Sequence, residues 1–240
     1  FSVIHEGGHA LYELHTGREL ARSNLGTGVS MGIHESQSRF YENIIGRSRA
    51  FCSVIYPWLK EHFAPRLDHV TEDDFYRMIN KSEPSLIRTE ADELTYCLHI
   101  MVRYELEKRM FDGSLTAHDL PAEWNRLYKE YLGIDVPDDR QGVLQDSHWA
   151  NGNIGYFPSY AIGSAYGAQY LQEMSKDLDV DAVVRSGDLT PINNWLEDRI
   201  WKHGCMKDRV ALFESVCVKF DPACYVAYLE KKFTEVYGLS

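Results

Sequence analysis

Residues 85–113, SLIRTEADELTYCLHIMVRYELEKRMFDG, decide the fold class. Leu94, Leu98, Met101, Val102, Leu106 and Met110 recur every three or four residues, the spacing of one helix face, and Asp112-Gly113 supplies a C-terminal stop. The same grammar extends along the chain. LPAEWNRLYKEYLG (120–133) is a shorter amphipathic helix with Asp119 as its N-cap and Gly133 past its end. Thr190-Pro191 opens TPINNWLEDRIWKHG (190–204) and Asp221-Pro222 opens ACYVAYLEKKFTEVYG (223–238), each pairing a capping residue with proline at the first helical position. In SYAIGSAYGAQYL (159–171) the small residues Gly163, Ala165, Gly167 and Ala168 let another helix approach closely. The best strand candidate, NLGTGVSMGI (24–33), is too short to anchor a sheet alone. No repeat, low-complexity run or long linker divides the chain, so residues 1–240 are expected to form a single all-α domain.

Composition narrows the function classes. The net charge of −11 argues against nucleic acid or an anionic membrane as partner. Acidic and basic residues are interleaved, as in EHFAPRLDHVTEDDFYR (61–77), which reads as solvated helix faces. No run of eighteen apolar residues offers a membrane span, and the first residues lack the pattern of a signal peptide. The chain opens on Phe1 rather than Met, which leaves room for an upstream segment. Five cysteines (Cys52, Cys97, Cys205, Cys217, Cys224) form no C-x-x-C pair and suit thiols in a reducing cytoplasm, although Cys217 and Cys224 are near enough in sequence to pair.

The chemistry concentrates at the start, in His5-Glu6-Gly7-Gly8-His9. Histidines four apart on a helix share a face and can turn two imidazoles to one metal ion. Glu6, one step round, reaches the position of a general base acting on water. The pattern alone also occurs as two histidines and a glutamate on a solvated helix. Gly7 and Gly8 together cost about 2 kcal/mol of helix propensity relative to alanine, a loss that close approach of substrate or another backbone would offset. Ile4, Leu11 and Leu14 keep helical spacing and predict one buried side. A hydrolytic site needs a third protein ligand and an open position. GIHESQSRFYEN (32–43) offers His34, Glu35 and Glu42, on a second helix that begins near Glu35 and runs antiparallel to a first helix ending near Gly17. Residue type alone does not separate Glu35 from His34.

Five segments then occur in order: HEGGHALYE (5–13), HESQSRFYEN (34–43), IRTEADE (87–93), GVLQDSHW (142–149) and GYFPSY (155–160). Together they resemble the carboxypeptidase Taq family of metallocarboxypeptidases. The resemblance implies a multi-helix, neurolysin-like metallopeptidase architecture, here its C-terminal portion without the upstream helices that carry the family's HPF and DxRxT segments. It implies one divalent metal ion held by His5, His9 and Glu35, with Glu6 as catalytic base. Zinc is the expected ion, and cobalt and manganese suit the same ligands. It also implies a homodimer that removes single residues, with broad preference, from peptides carrying a free C-terminal carboxylate. Arg88 is the candidate for binding that carboxylate through paired hydrogen bonds. Asp92 and Asp146 are candidates for orienting Arg88, His148 or a ligand histidine. His148, with Tyr156 or Tyr160, is the candidate for stabilising the oxyanion. Two rival readings stand beside this one: a helical module that mainly dimerises, and a neurolysin-like endopeptidase that would also cleave amidated peptides.

Overall fold

The structure, a computed structural model, describes residues 1–239 and is built from helices, with no strand among the described residues. In chain order the α-helices are α1 (Ser2–Leu14), α2 (Met31–Arg39), α3 (Arg49–His62), α4 (Glu72–Ile79), α5 (Tyr96–Phe111), α6 (Leu120–Leu132), α7 (Pro158–Met174), α8 (Val180–Ser186), α9 (Thr190–Arg199), α10 (Arg209–Cys217) and α11 (Ala223–Tyr237). A π-helical segment, Phe40–Ile45, continues α2 without a break. The chain forms two compact units: residues 1–80 with 162–240, and residues 81–161.

In the first unit α1 lies against α2. Glu13 meets His34, Gly8 meets Gln37 and His5 meets Glu42, so the two helices run antiparallel, as the spacing predicts. A Cβ on Gly8 would lie 2.6 Å from the Gln37 carbonyl oxygen and 2.7 Å from Ser38 Cα. Another backbone therefore does occupy the space that Gly8 leaves open, whereas Gly7 has nothing within 4 Å of the same position. The buried side of α1 is Gly8 and Tyr12; Leu14, which the apolar spacing assigns to that side, is 78% exposed. α1 ends at Leu14, short of Gly17. The strand candidate 24–33 is instead a series of turns leading to Ser30, whose hydroxyl accepts the Ile33 N–H and starts α2. Three of its ten residues are glycine, and without a partner strand the backbone groups of the segment are better satisfied in turns and a helix cap.

The small residues of α7 serve the close packing read from them. Gly163 lies so near α2 that a Cβ would sit 2.6 Å from the backbone carbonyl carbon of Glu35, while Gly167 keeps an ordinary 3.4 Å from Ser36 O and Ile44. Phe40, Ile44 and Ile45 join Tyr170, Met174, Leu196, Trp201 and Phe213 in the apolar core of this unit.

In the second unit α5 packs on α6 around Val102, Leu106, Trp124, Leu127 and Tyr128. The stripe predicted for α5 is only partly inside: Leu94 precedes the helix and is 41% exposed, and Met101 is 46% exposed. Their places are taken by His99, Arg103 and Glu107, all buried. Arg103 finds partners there in Asp146, Gln145 and the His99 carbonyl, and Glu107 accepts from Trp149 and Gly155, pairings that composition cannot reveal. Cys217 and Cys224 remain separate thiols; burial pushes the Cys217 thiol up to about 12, and Cys224 Sγ meets Gln172 Oε1 at 3.1 Å.

Candidate metal centre

His5 and His9, one turn apart on α1, face Glu35 in the first turns of α2. Each of the three offers one donor atom, and all three atoms lie within 4.8 Å of one another. Glu35 Oε2 is 3.5 Å from His5 Nε2 and 3.7 Å from His9 Nε2. A tetrahedral ion with bonds to nitrogen and oxygen of ordinary length spaces its donors about 3.3–3.5 Å apart, close to the separations of Glu35 from each histidine, so this group could hold one ion. Two imidazoles and a carboxylate suit a divalent transition metal. Glu35 is 1% exposed, and the Ser38 hydroxyl donates to its Oε2 at 2.9 Å, which orients the carboxylate. Glu6 is exposed on α1, and its charge is felt at the His9 ring.

Both histidines are held from behind. His5 Nδ1–H donates to Glu42 Oε2 at 2.8 Å, and Arg39 Nη1 donates to the same oxygen at 3.0 Å. A carboxylate accepts only, so His5 carries its proton on Nδ1 and keeps the Nε2 lone pair for a cation. Burial works to raise the Glu42 carboxyl, but the bond from His5 and the Arg39 charge hold it below the usual carboxylate range. The π-helical segment presents Glu42: its wider turn lets the chain continue from α2 while Glu42 points back to His5. His9 Nδ1 lies 2.9 Å from His34 Nδ1, and His34 Nε2 lies 2.7 Å from Glu13 Oε1. Burial, with the neighbouring His34 and His5, pushes the His9 imidazole below its usual value, against the opposing charge of Glu35. His34, equal to Glu35 by residue type, has both ring nitrogens engaged elsewhere.

The other residues singled out from the sequence lie in the second unit. Arg88 is buried; its Nε and Nη2 donate to Asp146 Oδ1 at 2.9 and 2.6 Å, and its Nη1 donates to Tyr96 Oη at 2.6 Å. Arg103 Nε donates to Asp146 Oδ2 at 2.7 Å and its Nη2 to Gln145 Oε1 at 2.9 Å, so one carboxylate holds two guanidinium groups. Burial alone would raise the Asp146 carboxyl, but these two arginines keep it below its usual value. His148 Nε2 is 3.1 Å from Tyr160 Oη, and the Tyr156 ring lies against both side chains. Asp92 is committed to the chain around it, accepting from Ser82 Oγ, Glu83 N, Leu94 N and Thr95, and it closes the turn that leads into α5. Arg88 is oriented by Asp146. Glu13, Arg103 and the part played by Glu42 escaped the reading of the sequence. The only signal for the two glutamates was that each lies in a segment with a candidate ligand histidine or the HES motif.

The family model of the carboxypeptidase Taq (M32) metallopeptidases matches residues 1–233. Carboxypeptidase 1 of Bacillus subtilis is 45% identical over 100% of this chain, and thermostable carboxypeptidase 1 of Thermus thermophilus is 43% identical over 99%. The chain spans about half the length of these curated relatives, 48% and 47%. Among solved structures, the M32 carboxypeptidase from Deinococcus radiodurans R1 aligns with a TM-score of 0.96 at 39% identity, over 99% of this chain and 48% of that one. The carboxypeptidase of Pyrococcus furiosus aligns with a TM-score of 0.94 at 41% identity, over 97% of this chain and 47% of that one. With a family match over nearly its whole length, this chain belongs to the carboxypeptidase Taq (M32) metallopeptidase family.

Proposed function

We propose that the protein containing this chain is a metal-dependent carboxypeptidase that releases single C-terminal residues from peptides. His5, His9 and Glu35 hold its metal ion, with zinc first among the candidates. The reading is carried by one observation: three convergent donor atoms with each histidine fixed from its far side. A divalent ion there would act as a Lewis acid toward a carbonyl and would acidify a water molecule. Glu6, exposed and one residue from His5, is assigned the part of general base, which would accept a proton from water and return it to the departing amine. His148 and the Tyr160 hydroxyl, already in contact, are assigned to the oxyanion, with Tyr156 beside them. Arg88 is assigned to the substrate carboxylate, with Asp146 as the group that orients it. A homodimer and a cytoplasmic location complete the proposal on the ground of the family resemblance.

The test measures bound metal and the release of the last residue from an N-blocked peptide. Glu6→Gln is expected to lower turnover by two orders of magnitude or more, roughly the contribution of a general base, with metal content unchanged. Equal cleavage of free and amidated C-termini would favour the endopeptidase reading. A protein that binds no zinc, cobalt or manganese would overturn the assignment of the three ligands.

A further inference from the structure

Behind His9 lies a connected row of hydrogen bonds whose directions are dictated by its outer end. Glu13 Oε1 is approached by the Gly28 N–H at 3.0 Å, the Thr27 hydroxyl at 2.9 Å and His34 Nε2 at 2.7 Å. A carboxylate only accepts, so His34 carries its proton on Nε2. Neutral His34 then has a lone pair on Nδ1, 2.9 Å from His9 Nδ1. Two lone pairs cannot share that distance favourably, so His9 Nδ1 is the donor. His9 Nε2, the atom nearest Glu35, is left unprotonated. The row crosses from α1 to α2 and back to α1, and the His34 ring cannot tip out of it. Tyr12 packs against the ring with centroids 4.9 Å apart, and a Cβ on Gly28 would lie 2.6 Å from His34 Cδ2. Val29 N–H in turn donates to Tyr12 Oη at 3.3 Å, so the 27–29 segment fixes both neighbours of the ring.

We propose that Glu13 and His34 are positioning residues that fix His9 in the Nδ1–H tautomer and so present its Nε2 to a divalent cation. The inference rests on the metal-site reading above and adds to it the origin of the ligand's tautomer. His5 is served directly by the Glu42 carboxylate; His9 is served by a carboxylate acting through a second imidazole. His34 is thereby a support of the metal site and not a ligand of it.

The experiment uses the metal-free, 15N-labelled protein at neutral pH, with long-range proton–nitrogen correlation to read the imidazole tautomers. His9 is expected as Nδ1–H and His34 as Nε2–H. Two variants then separate hydrogen bonding from packing. His34→Phe keeps a ring against Tyr12 without an acceptor, and His34→Asn brings a carbonyl oxygen near the place of Nδ1 without the ring. Zinc affinity, measured by chelator competition, is expected to fall by about 10–100-fold in the Phe variant and by only a few-fold in the Asn variant. A packing role predicts the reverse order. His9 found as Nε2–H in the parent, or a Phe variant binding zinc as tightly as the Asn variant, would overturn the proposal. Should the Phe variant fail to fold, the tautomers of the parent protein decide. Zinc bound by a parent with His9 as Nε2–H removes the relay alone, and a parent that binds no zinc removes the metal reading beneath it.

Discussion

The two glycines between the paired histidines have opposite physical roles, although each lowers helix propensity by the same amount. Gly8 is where α1 touches α2, against Gln37 O and Ser38 Cα, backbone atoms that cannot rotate away. Gly8→Ala is therefore expected to destabilise the protein by about 1–3 kcal/mol, the usual cost of overpacking. It should weaken metal binding as well, because it separates the helix carrying His5 and His9 from the one carrying Glu35. Gly7 has open space where a Cβ would stand, so Gly7→Ala is expected to gain up to about 1 kcal/mol from helix propensity. Urea denaturation of the two variants checks the signs, and equal shifts in one direction would refute the distinction.

At the level of elements, the two carboxylates that face the histidines, Glu35 and Glu42, are positioned by three helical pieces. α2 carries Glu35, the π-helical segment turns Glu42 toward His5, and α7 sets the height of the Glu35 backbone. Gly163 and Gly167 on α7 provide a graded test of that last contact. Gly163→Ala would place a methyl group 2.6 Å from Glu35 C and Cβ, so it is expected to lower both stability and metal affinity. Gly167→Ala meets its neighbours at an ordinary distance and is expected to be neutral or mildly stabilising. Thermal unfolding with and without zinc reads both effects. A Gly163→Ala protein with the metal affinity of the parent would show that α7 does not set the position of Glu35.

At the level of the whole molecule both units bury polar side chains beside their apolar cores, and in the second unit these include His99, Arg103 and Glu107. His99 is completely buried, and burial, reinforced by the positive charges of Arg103 and Arg88, pushes its imidazole down to about 3. Its Nδ1 lies 3.0 Å from Tyr128 Oη, and its Nε2 has no hydrogen-bond partner among the described residues. The native ring stays neutral where the unfolded ring, with its ordinary value of 6.5, takes up a proton. Its contribution to stability is therefore complete above pH 6.5 and is lost as pH falls from there toward 3, at about 1.4 kcal/mol per pH unit. The depressed carboxyl of Asp146 extends the loss into stronger acid. Unfolding midpoints followed by circular dichroism should decline over that range and decline less steeply in His99→Gln. Parallel curves for the two proteins would exclude His99 as the source.

What the sequence determined by itself follows from short-range geometry. The helical period placed two imidazoles on one face, the glycine and proline signals marked helix ends at Gly133 and near Thr190 and Asp221, and the small residues of 159–171 foretold close packing. These features depend on residues within a few positions of one another, so they survive without knowledge of the fold. Only the tertiary structure turned Glu35 toward the Nε2 atoms of both histidines and set its neighbour His34 against Nδ1 of His9, because adjacent residues on a helix point about 100° apart and the approach of α1 decides which atoms each one meets. Only the tertiary structure made Glu13 and Glu42 partners of histidines, turned His99, Arg103 and Glu107 inward, and left Leu14, Leu94 and Met101 in solvent. A polar group can be buried once a distant part of the chain satisfies it, and an apolar one stays exposed when no surface arrives to cover it.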